Sequence, residues 1–154
     1  MNAKDSEGWT PLHVAAQWGQ KDTAKLLIDK NAAIGARTKI GITPLIVACN
    51  MLQTDVVTLL LSERADVTLK DDEGRSPLFA AILYDEKSIT SLGVKKGNPK
   101  EIAEMLLKKK ADPSTMNALG KTILSIATAA GQTEIVALLK QYGGAEPEII
   151  NPAE

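Results

Sequence analysis

Few residues in this chain are of types that do chemistry, and they stand apart. His13 is the only histidine and Cys49 the only cysteine. A histidine acting as general base needs a positioned nucleophile and a pocket around it, and no such arrangement is visible near His13. A second histidine that could complete a metal set is absent from the whole sequence. Cys49 falls at a position that sister segments fill with Ala16 and Ile82, so it reads as small buried filler and not as a reactive thiol. Asp71-Asp72-Glu73 could hold a cation, but no further oxygen ligands follow at calcium-loop spacing, and the run reads as a solvated turn. Gly93-Val94-Lys95-Lys96-Gly97 lacks the spacing of a phosphate loop and reads as a flexible tip. Lys108-Lys109-Lys110 closes a helical pattern that opens with Glu101 and Glu104, the charge order that favours the helix dipole. Zinc spacings, nucleophile elbows and His-Glu-x-x-His do not occur. Catalytic residues, metals and cofactors are therefore not expected.

The elements carrying these residues repeat. Gly8, Gly41 and Gly74 stand 33 residues apart, and each opens the same phrase: Gly8-Trp9-Thr10-Pro11-Leu12, Gly41-Ile42-Thr43-Pro44-Leu45, Gly74-Arg75-Ser76-Pro77-Leu78. A fourth copy, Gly120-Lys121-Thr122-Ile123-Leu124, follows after 46 residues. A fixed period of this length marks stacked units, none of which buries its own apolar face. The hydroxyls of Thr10, Thr43, Ser76 and Thr122 suit helix N-caps, and Pro11, Pro44 and Pro77 suit a first turn. A second helix in each unit carries the bulk: Leu26-Leu27-Ile28, Leu59-Leu60-Leu61, Met105-Leu106-Leu107 and Leu138-Leu139. Helices this short are not stable alone in water, so stacking must supply their stability.

Composition agrees. The 154 residues are 44% hydrophobic and 24% charged but only 3% aromatic, which suits thin layers filled with Ala, Leu, Ile and Val. A formal net charge of −1 gives no pull toward nucleic acid or an anionic membrane. No apolar run approaches the ~18 residues of a spanning helix, and the amino terminus has no apolar signal core. The default location is cytoplasmic.

Thr10-Pro11-Leu12-His13-Val14-Ala15-Ala16 and the turn Ala65-Asp66-Val67 resemble the signature of the ankyrin repeat family, over roughly residues 2 to 146. The resemblance implies an all-α repeat solenoid of four stacked units, each a β-turn finger followed by an antiparallel helix pair. The units span about 2–34, 35–67, 68–113 and 114–146, within a domain of 1–146, and 147–154 form a tail in which Ile149 and Ile150 lie against the last unit. The third unit carries an insertion between its helices, about Asp85 to Gly97, either an arm that touches a partner or a tolerated surface loop. The family's histidine at this place ties its turn to the neighbouring hydroxyl, here His13 to Thr10. Thr23 and Thr128 put polar groups in the first and last units, as capping repeats require.

The resemblance also implies a binding surface for a partner protein, made by finger tips and the exposed ends of the first helices. Carried over by position, that concave surface comprises Trp9, Trp18, Ile40, Ile42, Met51, Arg75, Tyr84, Leu119 and Lys121. Trp9, Trp18, Met51 and Tyr84 are expected to lie free of the core, with Arg75 and Lys121 as a charged rim. The function expected is a non-enzymatic protein-interaction module. The alternative is a regulatory or targeting segment of a larger enzyme, channel or effector. No nucleic-acid, membrane or small-molecule partner is expected.

Overall fold

A computed structural model describes residues 1–84 and 86–145, so the expected tail 147–154 lies outside the described residues. The described residues form nine helices: α1 Pro11–Trp18, α2 Lys21–Asp29, α3 Pro44–Asn50, α4 Thr54–Ser62, α5 Pro77–Ile82, α6 Glu86–Ser91, α7 Pro99–Lys108, α8 Ile123–Ala129 and α9 Thr133–Gln141. Among these residues there is no strand, only an isolated bridge between Met116 and Thr122. The helices stand in two rows. One row runs α1, α3, α5, α8 and the other α2, α4, α7, α9, each helix touching the next in its row. Across the rows α1 packs on α2, α3 on α4, α5 on α7 and α8 on α9. This is a helical repeat fold.

The first-row helices begin where hydroxyls capture an orphan amide. Thr43 Oγ1 accepts from the Ile46 amide at 3.2 Å, Ser76 Oγ from Phe79 at 3.2 Å and Thr122 Oγ1 from Ser125 at 3.1 Å. Thr10 is arranged differently. Its amide donates to His13 Nδ1 at 3.1 Å, and its hydroxyl lies 2.8 Å from the same nitrogen. The core runs between the rows. Leu12, Leu45, Leu78 and Leu124 meet Leu60, Leu106 and Leu139 there, with Ala15, Ala48, Ala81 and Ala127 keeping the helices close.

Each first-row helix is preceded by a tight turn, and the turns are bonded in series. The Lys39 amide donates to the Glu7 carbonyl at 3.0 Å, Asp72 to Ile40 at 3.0 Å and Ala118 to Glu73 at 2.9 Å. That approach leaves no room for side chains at the turn glycines. A Cβ on Gly8 would sit 2.9 Å from the Lys39 nitrogen, and one on Gly74 2.9 Å from the Ala118 nitrogen. Both glycines also hold positive φ, 84° and 75°, which L side chains adopt at a cost. Beside the turns runs a second series: Lys4 Nζ donates to the Arg37 carbonyl at 2.9 Å, and Arg37 Nη2 to the Lys70 carbonyl at 2.8 Å.

The segment between α5 and α7 is neither a free arm nor a flexible tip. It contains α6, whose Ile89 is 2% exposed, and Leu92 and Val94 pack on the core. The Gly97 amide donates to the Leu52 carbonyl at 3.1 Å, pinning the far end of the segment to the α3–α4 connection. Lys96 completes the fastening with Glu86 at 2.7 Å and the Tyr84 ring at 4.9 Å.

Candidate functional site

Turn geometry decides where the variable side chains go. In each turn one polar residue, three places before the glycine, gathers the amides that follow. Asp5 Oδ1 accepts from Glu7 and Trp9, both at 2.9 Å. Asp71 Oδ1 accepts from Glu73 at 2.9 Å and Arg75 at 3.0 Å, and Asn117 Oδ1 from Leu119 and Lys121, both at 3.0 Å. Thr38 Oγ1 takes the Ile42 amide at 3.1 Å. Trp9, Ile42, Arg75 and Lys121 are therefore held by their own backbones at one place in four successive turns. Asp71 is thus no solvated residue. Its side chain is buried and also bonds Arg75 Nε at 2.8 Å. These organising residues escaped the sequence reading, although the shared offset from Gly8, Gly41, Gly74 and Gly120 was there to find.

Trp9, Ile42, Met51 and Arg75 border one groove of about 200 Å³. Ile46, Val47 and Ala80 of α3 and α5 add to its lining, as do Gln17, Asn50 and Leu83 from the ends of α1, α3 and α5. Ser88 of α6 completes it. Arg75 brings a guanidinium already paired with Asp71 and lying 3.5 Å from Glu73, so its charge is largely answered within its own turn. The Trp9 ring meets His13 with centroids 5.6 Å apart.

The remaining expected site residues go elsewhere. Ile40, Leu119 and Lys121 are exposed on the turns and line neither that groove nor the hollows bordered by Trp18 and Tyr84. Trp18 is exposed but borders a different hollow of about 810 Å³, opposite Leu92, Val94 and Lys95. Tyr84 is half-buried in a third, of about 270 Å³, beside Pro99 and Gln132. The expectation that Trp9, Trp18, Met51 and Tyr84 all stand free of the core needs correction. Met51 is 4% exposed and belongs to the core, and Trp9 and Tyr84 pack against that core.

The reactive residue types are occupied or sealed. His13 is fully buried, and its Nε2 lies 2.9 Å from the Ile42 carbonyl. With Nδ1 accepting from the Thr10 amide, Nε2 carries the proton and donates. Burial lowers the His13 pKa from its ordinary value, with nearby Lys4 acting in the same direction, so the ring is neutral near pH 7. Cys49 is fully buried, and burial alone pushes its thiol far up. Among the described residues no three His, Cys, Asp or Glu side chains stand together as a metal set, and no helix is long and apolar enough to cross a membrane.

Residues 7–39 and 40–72 each match the ankyrin repeat family. A stretch of 29 residues is 52% identical to protein phosphatase 1 regulatory subunit 12A of Mus musculus and of Rattus norvegicus, covering 19% of this chain and 3% of those proteins. A stretch of 32 residues is 59% identical to acyl-CoA-binding domain-containing protein 2 of Arabidopsis thaliana, covering 21% of this chain and 9% of that protein. The matched stretches thus span less than a tenth of these relatives' own length. Residues 7–72 thus carry two successive matches to the ankyrin repeat family.

Proposed function

We propose that this ankyrin-repeat chain is a non-catalytic module that grips another protein along the groove bordered by Trp9, Ile42 and Arg75. Its architecture is four stacked units, the third with an insertion between its helices that contributes Ser88 to the groove wall. One observation carries the reading: the residue after the glycine of three successive turns opens onto the same groove, held there by the hydrogen bonds of its own turn. A surface fixed in this way binds with little ordering cost. The partner engages an aromatic and aliphatic floor flanked by amides from Gln17 and Asn50. Ile40, Leu119 and Lys121, exposed on the turns, extend the contact along the tips. The test is a photo-crosslinking amino acid placed at Gln17 or Leu83, compared with Thr58 on the exposed side of α4. Adducts with one protein species from the two groove positions and not from Thr58 are expected. Equal labelling from all three positions abandons the groove.

A second reading is that the module regulates or targets an activity encoded outside these residues. It is favoured by relatives far longer than the matched stretch, one of them a phosphatase regulatory subunit by name. Its discriminator is the flanking gene sequence: an in-frame catalytic or effector segment supports it, and a stop codon on both sides removes it.

A further inference from the structure

Residues 86–97 stand outside both rows of helices. Their helix, α6, has six residues, too few to persist alone in water, so docking on the stack supplies its stability. Ile89 is buried, Leu92 and Val94 pack on the core, and the Gly97 amide donates to the Leu52 carbonyl at 3.1 Å. The ion pair of Lys96 with Glu86, at 2.7 Å, ties the two ends of the segment to each other and closes it into a compact loop. One feature opposes docking. The Thr54 hydroxyl oxygen lies against Gly97, and among the described residues it is buried without a hydrogen-bond partner. Lifting the segment away lets water satisfy it. The docked segment is thus held by contacts that can break without disturbing the rows, the condition for a unit that opens locally. It also contributes to two hollows that share no lining residue. Ser88 borders the groove of Trp9, Ile42 and Arg75, while Leu92, Val94 and Lys95 border the hollow of Trp18.

We propose that residues 86–97 form a strap that leaves the stack and redocks as one body while the paired helices stay folded, opening and closing both hollows together. Docked, the strap walls the Trp18 hollow with Leu92 and Val94 and the Trp9 groove with Ser88. Released, it removes both walls at once. A protein held in the Trp9 groove against Ser88 therefore favours docking, and with it the closed Trp18 hollow. That consequence rests on the groove being the partner site; the motion itself does not. Gly97 is the point at which the strap can be unfastened. It holds no positive φ, so it is the close approach that excludes a side chain there. A Cβ on Gly97 would collide with the Leu52 carbonyl oxygen and the Thr54 hydroxyl.

The experiment is amide exchange of the full chain, followed by nuclear magnetic resonance with no partner present. The reporters are the Leu92, Gly93 and Gly97 amides, bonded to the Ser88, Thr90 and Leu52 carbonyls. In the native chain the three should open together, and faster than Ala80 of α5 and Ala111 beyond α7. Gly97→Ala should speed Leu92 and Gly93 by about tenfold or more while Ala80 and Ala111 keep their native rates. It should also shift the indole N–H signals of both Trp9 and Trp18. Lys96→Met, which removes the ion pair but adds no atom beside Leu52, should speed Leu92, Gly93 and Gly97 by a smaller common factor. Native strap amides that exchange at the rates of Ala80 and Ala111 overturn the proposal. So do strap amides that ignore Lys96→Met or answer it singly. So does a Gly97→Ala protein in which the Trp9 indole stays put, or in which Ala80 and Ala111 are released as well. The groove reading fails separately, on the crosslinks from Gln17 and Leu83.

Discussion

At the scale of single residues, His13 shows how a side chain of catalytic type becomes a structural one. Both its nitrogens are committed, one to the Thr10 amide and one to the Ile42 carbonyl, so it fastens the first turn to the second. The bond to Thr10 was legible from the resemblance; the bond to Ile42 was not, since it joins residues 29 apart through a carbonyl that no side-chain pattern announces. A depressed pKa carries a definite sign. The unfolded chain takes up a proton as pH falls through the ordinary value of 6.5, while the folded ring resists until lower pH. His13 therefore contributes its full stability above pH 6.5, and that contribution is lost as pH falls through the folded value. The melting temperature should drop from about pH 7 to about pH 5, and His13→Gln should flatten the drop. Identical pH profiles for the two proteins would show that other groups govern acid sensitivity.

At the scale of elements, the second-row helices end alike. Asn31, Arg64 and Lys110 follow α2, α4 and α7 with φ of 66°, 63° and 66°, and Gly143 follows α9 with φ 89°. The conformation serves the helix end: the Ala32, Ala65 and Ala111 amides reach back to the Leu27, Leu60 and Leu106 carbonyls at 2.9, 2.9 and 3.0 Å. Only the last of the four positions has the residue that adopts it freely. Lys110→Gly should therefore raise stability by roughly 0.5–1 kcal/mol, measured as a higher denaturant midpoint at unchanged slope. A lower midpoint would mean that the unfolded-state entropy of glycine outweighs the relieved strain. The helix pairs themselves were legible, because Thr-Pro-Leu starts and Leu-Leu runs return in register. The segment between α5 and α7 was not. Ile89, Leu92 and Val94 belong to no repeat register, so nothing in the pattern showed that they would join the core or that Gly97 would bond to Leu52. The burial of Met51 was missed for a related reason: its counterparts Trp18 and Tyr84 keep more exposure, and periodicity alone set the three together.

At the scale of the whole molecule, stability is shared between neighbours and not gathered in one centre. Each helix touches its own pair and the adjoining pairs in its row, so a defect should spread only as far as those contacts carry it. Leu60 and Leu139 are a matched probe. They occupy the same place in α4 and α9, and both are fully buried. Truncating either to alanine removes the same atoms and costs about 2–5 kcal/mol locally. Their neighbours differ. The α4 helix is flanked by α2 and α7 in its row, while α9 has only α7 among the described helices. Leu139→Ala should therefore release α8 and α9 while leaving amide exchange in α1 to α4 near its native rate. Leu60→Ala should speed exchange in α1 to α4 and in α7 as well, because separating the pairs on either side of α4 costs less once their shared layer is loosened. Equal acceleration everywhere by both substitutions would mean one indivisible cooperative unit, and the nearest-neighbour account of this ladder would then fail.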